Sequence, residues 1–589
     1  MGRPNSVNPP RAGTTRRDFF KRSGATSIAF ASAAPLLASA AQSADRTFEH
    51  GVASGDPLHD RVILWTRVTT ASTTSNVQVN YVVATDPRLR RIVRRGSSMT
   101  GSACDFTVKV DVDELRPGVT YYFQFTTAGR SSPIGRTRTL PVGAVSRLRM
   151  AVVSCSNHAY GYFNAYARIA ERADLDVIVH LGDYIYEYGA GQYGSVRTPE
   201  PPTEIISLAD YRTRHAQYKR DLDSQAAHRQ HPLVAIWDDH ETANNAWKRG
   251  AENHQPSTEG SWQARVAAAL QAYYEWMPVR EPRMPTSASD APEASAMGTA
   301  RNPVDGERRY SLAALKREQR SFRFGNLAEL IMLEERLQAR SEQLQPDTPA
   351  PTPFGPGFQQ TGAFTDPSRT LLGSAQEDWL ERRLRRTPAS WKLIGQGVMF
   401  AQLKGVGAAN AAGGGVFLNS DQWDGYQPAR NRIYDILKGD AAHPPVDNVV
   451  VLTGDIHSSW AADLTQDPNN PEVNTGGYNP VTGDGSCAVE FVGTSVSSPG
   501  VDSDTSGTIA AGLRYMNPHF KYINLVRRGY LLLDVTPERV VGEWWYVDTV
   551  ASRTNLESFG VAFEVRQGSN RLVPSAQTSS RADAPPLAP

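Results

Sequence analysis

The chain has 589 residues, with 62 Lys and Arg against 61 Asp and Glu, 40% hydrophobic residues and 21% charged residues. That balance excludes a disordered or fibrous chain, and at this length two or three domains are expected rather than one core. A formal net charge of +1 excludes bulk attraction to nucleic acid or to an acidic membrane, so any recognition of phosphate must be local. The three cysteines, Cys104, Cys155 and Cys487, cannot build a disulfide scaffold.

The chain opens with an address label. Thr15-Arg16-Arg17-Asp18-Phe19-Phe20-Lys21 precedes a small-residue apolar run over 25–38, and Ala38-Ser39-Ala40 then suits a signal peptidase. Paired arginines, a modestly hydrophobic segment and an Ala-x-Ala end resemble a bacterial twin-arginine export signal. The run is too short and too weakly apolar for an anchor, and no later stretch reaches the ~18 apolar residues of a spanning helix. The expectation is a signal over 1–44 and a mature chain beginning near Ala41 or Asp45. Its partner in export is the twin-arginine machinery, its destination the periplasm or beyond, and it keeps no integral membrane segment. Such export carries folded cargo, often already loaded with a cofactor or metal.

From 45 to 141 the pattern is β. Short runs such as Arg61-Val62-Ile63-Leu64-Trp65-Thr66-Arg67 and Tyr121-Tyr122-Phe123-Gln124-Phe125 alternate and are rich in β-branched and aromatic residues. Leu115-Arg116-Pro117-Gly118-Val119-Thr120-Tyr121 resembles the tyrosine corner of fibronectin or Ig-like sandwiches, so a β-sandwich domain is expected here. From 147 the grammar changes to α/β. Leu148-Arg149-Met150-Ala151-Val152-Val153-Ser154 reads as a buried strand, 162–172 as a helix and Val177-Ile178-Val179-His180-Leu181 as a second buried strand. Strand, helix, strand predicts a parallel βαβ unit. The pattern recurs at Leu233-Val234-Ala235-Ile236-Trp237 and at Val449-Val450-Val451-Leu452-Thr453, with helices expected over 208–227 and 262–276. Stretches 284–304 and 345–365 read as surface loops. An α/β domain over 147–562 and a flexible Ser/Ala/Pro-rich tail over 563–589 complete the organisation.

The informative residues follow the apolar runs. The first strand ends Ser154-Cys155-Ser156-Asn157-His158, the second Gly182-Asp183-Tyr184-Ile185-Tyr186-Glu187. The third ends Asp238-Asp239-His240-Glu241 and continues to Asn244-Asn245, and the fourth ends Gly454-Asp455-Ile456-His457-Ser458-Ser459. Side chains at the carboxyl edge of a parallel sheet converge on one crevice. Crowded carboxylates there would raise one another's pKa values and repel, a conflict that multivalent cations resolve. Oxygen ligands suit Ca²⁺ or Mg²⁺, and a mixed Cys, Tyr, His and Asp set suits a transition ion. Taken singly, each ending is an ordinary turn, cap or buried thiol. Four in order after buried strands point to metal.

The order Gly-Asp, Asp-His-Glu, Gly-Asp-Ile-His resembles the metallophosphoesterase superfamily. The quoted strand ends, together with Phe48-Glu49-His50-Gly51-Val52-Ala53-Ser54-Gly55-Asp56-Pro57 and Phe322-Arg323-Phe324-Gly325-Asn326-Leu327-Ala328-Glu329-Leu330, are similar to its alkaline phosphatase D (PhoD-type) family. The resemblance runs from about Phe48 to about Val547. It implies a two-sheet α/β sandwich behind the N-terminal β-sandwich. It also implies an exported phosphatase containing Fe³⁺ and Ca²⁺ that hydrolyses a small phosphoester by attack of a water activated on the metals, releasing inorganic phosphate. Carried over, Cys155, Asp183, Tyr186 and His457 hold the iron, and the thiolate and tyrosinate keep it ferric. Asp183 bridges to calcium, with Asp239 and Asp455 as further oxygen ligands. His240 and Asn157 face the phosphate as catalytic and substrate-binding groups, and Asn245, a spare polar group beyond the metal count, is expected to bind substrate as well. Asp239 and Asp455 stand where the superfamily's commonest pattern has amide or nitrogen ligands, which shifts the second site toward a harder ion. After the Leu330 strand the family pattern is Asp-Thr-Arg, whereas this chain has Glu334-Glu335-Arg336, so no role is carried over there. Gln396 and Arg323 read as structural. Two other functions compete: a phosphodiesterase or phospholipase-D-like esterase on the same fold, and a surface binding protein with a structural metal site. The spare His240, Asn157 and Asn245 favour catalysis over the latter.

Overall fold

Runs of apolar residues too short for helices become strands buried on both faces, which requires a layer on each side of the sheet. In this computed structural model, which describes residues 46–70, 75–281, 319–410 and 414–589, they form two stacked sheets with helices outside. The export signal expected over 1–44 and the loop expected over 284–304 lie outside the described residues. The large sheet has ten strands, with parallel Leu148–Val153, Val177–His180 and Pro232–Ala235 at its centre. The second sheet has seven strands, of which Ala328–Met332, Trp391–Gln396, Val449–Thr453 and Ala488–Val492 run parallel.

Alternation sorts the side chains between layers. Met150 and Val152 of the large sheet and Val450 and Leu452 of the second meet in the core between the sheets. Ala151, Val153 and Ile178 face outward against helices Asn164–Ala170, Leu208–Arg220 and Trp262–Trp276. Val449 and Val451 face the opposite way, toward helices Ser374–Arg386, Gln427–Lys438 and Thr508–Met516. The helix expected over 208–227 is two helices, Leu208–Arg220 and Leu222–Gln230. Asp221 breaks it: its backbone is extended and its carboxylate caps the second helix at the amides of Asp223 and Ser224.

The N-terminal β region joins this frame. Its tyrosine corner is present, with the Arg116 amide donating to the Tyr121 hydroxyl at 2.8 Å. Strands Val77–Ala84, Ile92–Thr100 and Thr120–Thr127, with Arg130–Ser131 and Gly135–Arg138, form a separate sheet. Its partner layer, Val52–Gly55, Val62–Arg67 and Thr107–Val112, is hydrogen-bonded into the large sheet, because Val52–Gly55 pairs in parallel with Pro232–Ala235. The sandwich core, including Val62, Leu64, Val108, Phe123 and Phe125, therefore grows directly from the edge of the central sheet.

Two expectations are corrected. The stretch 345–365 is not an open loop: it carries a short hairpin, and Phe358 and Phe364 pack on Phe417. The residues after 562 are not a flexible tail. Strand Glu557–Arg566 pairs along Arg539–Val547, Val573–Ser575 adds a further strand, and the remainder is pinned to the body. Thr578 donates to Glu543 at 2.6 Å, Arg581 binds both Asp174 and Asp176, and the Ala588 backbone exchanges hydrogen bonds with Gln230. Proline-rich composition lowers the entropy lost on ordering, so a few such anchors suffice. Cys104 and Cys487 are in no disulfide.

The Arg581 guanidinium pairs with the Asp176 carboxylate and donates to the Asp174 carbonyl, and these aspartates also lie beside buried Arg149 and half-buried Arg138. Removal of residues 577–589 is expected to destabilise the fold by roughly 2–4 kcal/mol, the sum of a few charge-assisted hydrogen bonds. A lower urea midpoint in circular dichroism checks this, and an unchanged midpoint contradicts it.

Candidate metal centre and active site

The strand ends deliver their side chains to one place because the strands are parallel and end level. Val153 is in register with His180 and His180 with Ala235 in the large sheet, and Thr453 with Gln396 and Val492 in the second. Neighbouring exits interlock, since Cys155 and Ser156 donate backbone hydrogen bonds to the Gly182 and Asp183 carbonyls at 3.1 and 2.9 Å. A Cβ on Gly182, whose φ is +104°, would lie 2.4 Å from the Asp238 Cβ, and one on Gly454 would lie 2.7 Å from the Ser154 Cβ. Glycine at these two positions lets separate exits approach closely.

Three buried groups can each hold a cation, their ligand atoms lying within 4.8 Å of one another: Cys155, Asp183 and His457; Asp183, Asp239 and His240; and Asp238, Asp239 and Asp455. Asp183 and Asp239 each belong to two groups, as bridging ligands would. The first group mixes thiol, carboxylate and imidazole. Beside it the Tyr186 hydroxyl donates to Asp183 Oδ2 at 3.0 Å and lies 3.1 Å from His457 Nε2. Such a set suits a transition ion, and the all-oxygen third group suits a harder one. His457 Nδ1 lies 2.7 Å from the Pro499 carbonyl, which can only accept, so the proton sits on Nδ1 and Nε2 is left as a ligand atom. His240 Nε2, Asp238 Oδ2 and Asn245 Oδ1 are buried without a hydrogen-bond partner among the described residues. Buried polar atoms normally find partners, so the donor chemistry and these unmet atoms both fit multivalent cations.

The backbone is strained where these groups sit. Cys155, Asp183, Asn245, Asp455 and His457 have φ of +61°, +56°, +53°, +61° and +58°. Each such conformation costs on the order of 1–3 kcal/mol for a residue with a side chain. Neighbouring groups hold the strained turns. Glu241 accepts hydrogen bonds from the amides of Asp183, Tyr184 and Asp238 at 3.1, 2.5 and 2.8 Å. Ser498 donates to the Tyr186 hydroxyl at 2.7 Å.

The cluster also contains its own cation. Arg336 is fully buried and donates to Asp238, to Asp421 Oδ2 at 2.8 Å and to Asp455 Oδ1 at 3.2 Å, with Asp239 at 3.8 Å. Even so, burial, reinforced by Asp239, Asp455 and Asp183, pushes the Asp238 carboxyl well above the usual range against the pull of Arg336. Burial lowers the pKa of His240, but Asp239, Glu187 and Asp183 outweigh it and hold the imidazole up at about 10. Cations bound among those carboxylates would cancel much of that attraction. Glu187 lies 2.7 Å from His240 Nδ1, and the Tyr186 ring packs on the imidazole with centroids 4.2 Å apart, so Nε2 is the end left for chemistry. Tyr188 and Tyr193, both half-buried, pack against His240 from the outside at 5.4 and 6.1 Å.

The sequence-predicted residues fall into two sets. Cys155, Asp183, Tyr186, Asp239, His240, Asp455 and His457 lie together in this cluster. Asn157 is spent on backbone: its Oδ1 accepts from the Ala159 and Tyr160 amides and its Nδ2 donates to the Tyr193 carbonyl. Asn245 donates its amide to Asp239 Oδ2 at 2.7 Å and its Nδ2 to Glu252 at 2.6 Å. The sequence reading assigned nothing to Arg336, Glu187, Glu241, Asp238, Asp421 or the Ser498–Pro499 turn. Arg336 and Ser498 carried a usable signal, since both follow buried parallel strands, Ala328–Met332 and Ala488–Val492.

Arg336→Met leaves Asp238, Asp421 and Asp455 without their shared guanidinium. Breaking a buried ion cluster in this way is expected to cost about 3–5 kcal/mol in chemical denaturation. Arg336→Lys should recover only part, because an ammonium cannot serve three carboxylates in one plane. Wild-type stability in Arg336→Met would contradict this role.

Comparison with known proteins agrees with this geometry. Residues 150–544 match the family model described as PhoD-like phosphatase, and residues 31–141 match PhoD-like phosphatase, N-terminal domain. Over 504 residues the chain is 37% identical to alkaline phosphatase D of Bacillus subtilis (strain 168), spanning 84% of this chain and 76% of that protein. A solved structure of PhoD superposes with a TM-score of 0.74 at 34% identity, covering 92% of this chain and 95% of that one. The chain belongs to the PhoD-like phosphatase family, and it is a hydrolase of the phosphatase class.

Proposed function

We propose that this chain is an exported, metal-dependent phosphatase that hydrolyses small phosphate esters at the shared carboxyl rim of its two sheets, releasing inorganic phosphate. The observation that carries the reading is the set of four buried carboxylates, Asp183, Asp238, Asp239 and Asp455, packed at ligand distance with Cys155, His240 and His457. The Arg16-Arg17 motif and the apolar run behind it support export to the periplasm or beyond. No helix among the described residues is long and apolar enough to cross a membrane.

Cys155, Asp183, Tyr186 and His457 would hold a ferric ion, and Asp183, Asp239 and Asp455 would hold calcium. Cations there supply neutralisation of the phosphoryl oxygens and a lowered pKa for the water that displaces the ester oxygen. The chain's own residues do the rest. His240, its Nδ1 held by Glu187 and its ring by Tyr186, presents Nε2 to give a proton to the departing oxygen as the P–O bond breaks. Arg336 and Glu241 keep Asp238, Asp455 and the Asp183 turn in position. Asn157 acts by holding the loop that carries Tyr193, and Tyr193 and Tyr188 shield the imidazole from water. Asn245 orients Asp239 through its backbone amide, and its unmet Oδ1, an acceptor that phosphate oxygens would repel, would serve a cation instead.

The two central roles separate by experiment. Asp183→Ala is expected to lose metal content and turnover together. His240→Ala is expected to keep its metal while kcat on a nitrophenyl phosphate falls by ~10²-fold or more. Metal analysis beside kinetics checks both, and a metal-replete, active Asp183→Ala or a metal-depleted His240→Ala overturns the assignment.

A further inference from the structure

A second site-like feature lies at the far end of the second sheet. A groove of about 710 Å³ runs between the hairpin Arg320–Phe324/Ala328–Met332 and the end of helix Ser374–Arg386, and Arg323, Arg382, Arg383 and Arg386 line it with Trp379. Glu329 is its one acidic lining residue, and it lies 3.6 Å from Arg383, whose guanidinium sits 5.9 Å from the Trp379 ring. Arg323, Arg382 and Arg386 are exposed and have no carboxylate within ion-pair distance among the described residues. In a chain of net charge +1 this is a local excess rather than a share of general basicity.

Basic residues in a last helical turn are commonplace, because they oppose the negative end of the helix dipole. Arg385 is spent elsewhere: it pairs with Glu381 and donates to the carbonyls of Ile436 and Pro444 in a neighbouring helix and loop. Arg382 and Arg386 line the groove from the end of their helix, and Arg323 comes from a strand, where the dipole gives no reason for it. Glu329 is level with Lys392 and Val449, so the groove lies roughly 15–20 Å along the strands from Asp455 at 3.3 Å per residue. One reacting phosphate cannot occupy both places.

We propose that this groove binds a ligand carrying several closely spaced phosphate groups. Guanidinium forks pair with phosphate oxygens through parallel charge-assisted hydrogen bonds, and three uncompensated forks around one concavity match an oligophosphate better than a single anion. The groove has the volume of a small-molecule site. The chemistry is the same for a free oligophosphate and for a stretch of a phosphate polymer.

The test is titration calorimetry of the full mature chain in excess inorganic phosphate, which saturates the catalytic centre. Tripolyphosphate, long-chain polyphosphate and poly-aspartate of matched charge are the probes. Tripolyphosphate is expected to bind, more weakly as salt rises. An Arg382→Glu/Arg386→Glu variant, whose changes are exposed, is expected to keep its circular dichroism and melting temperature while its affinity falls at least ~10-fold. Tighter binding of the long chain identifies a polymer as the source, and equal binding a free oligophosphate. Unchanged affinity in the folded variant overturns the proposal, as does poly-aspartate binding as well as tripolyphosphate. Because the readout is binding, it stands or falls independently of turnover.

Discussion

Negative side chains gathered where water is excluded repel one another and resist ionisation, and this chain gathers them deliberately. Asp183, Asp238, Asp239 and Asp455 are each 1% exposed or less, at the meeting point of two sheets. Arg336 supplies one compensating charge, yet burial first and the neighbouring aspartates second hold Asp238 well above its usual range. His240 adds a second positive charge, and multivalent cations bound in the cluster would supply the rest. The thiol, phenol and imidazole on one side would suit a softer ion, and the bare carboxylates on the other a harder one.

The fold exists to bring those groups together. Parallel strands in two sheets end at the same level, so every exit loop opens onto the same volume. The turns that carry Cys155, Asp183, Asp455 and His457 adopt left-handed backbone that residues with side chains avoid. Glu241 and the interlocked amides of Cys155 and Ser156 over-determine the Cys155 and Asp183 turns. Strain kept at this rim, and rigid packing behind it, give a site that needs little rearrangement to bind its ions.

Much of this was legible in the sequence because it rests on local grammar. Buried apolar runs followed by Asp, His or Cys announce strand ends, and six of the seven residues that form the core of the cluster are readable in that way, while Tyr186 enters only through the family resemblance. Arg336 was missed because Glu334-Glu335 breaks the expected family pattern just before it, although the guanidinium still reaches three aspartates. Ser498 and Pro499 were missed because a loop of small hydroxyl residues looks like an ordinary turn until the Ala488–Val492 strand is placed beside Val449–Thr453. Asn157 read as a phosphate ligand from its position, yet its amide is occupied by backbone two and three residues on, a capping habit of Asn that competes with any ligand. Edge pairing of Val52–Gly55 with Pro232–Ala235 leaves no sequence trace, and neither does the anchoring of the last residues, since both depend on partners distant in the chain.

The most direct measurement is the elemental composition of enzyme purified from its own exporting host. Multivalent ions should be present at two or more per chain, including a transition metal, and stripping them with a chelator should extinguish phosphatase activity until they are restored. Fully active enzyme carrying none would contradict the account, because Arg336 and His240 alone would then have to offset so many buried carboxylates.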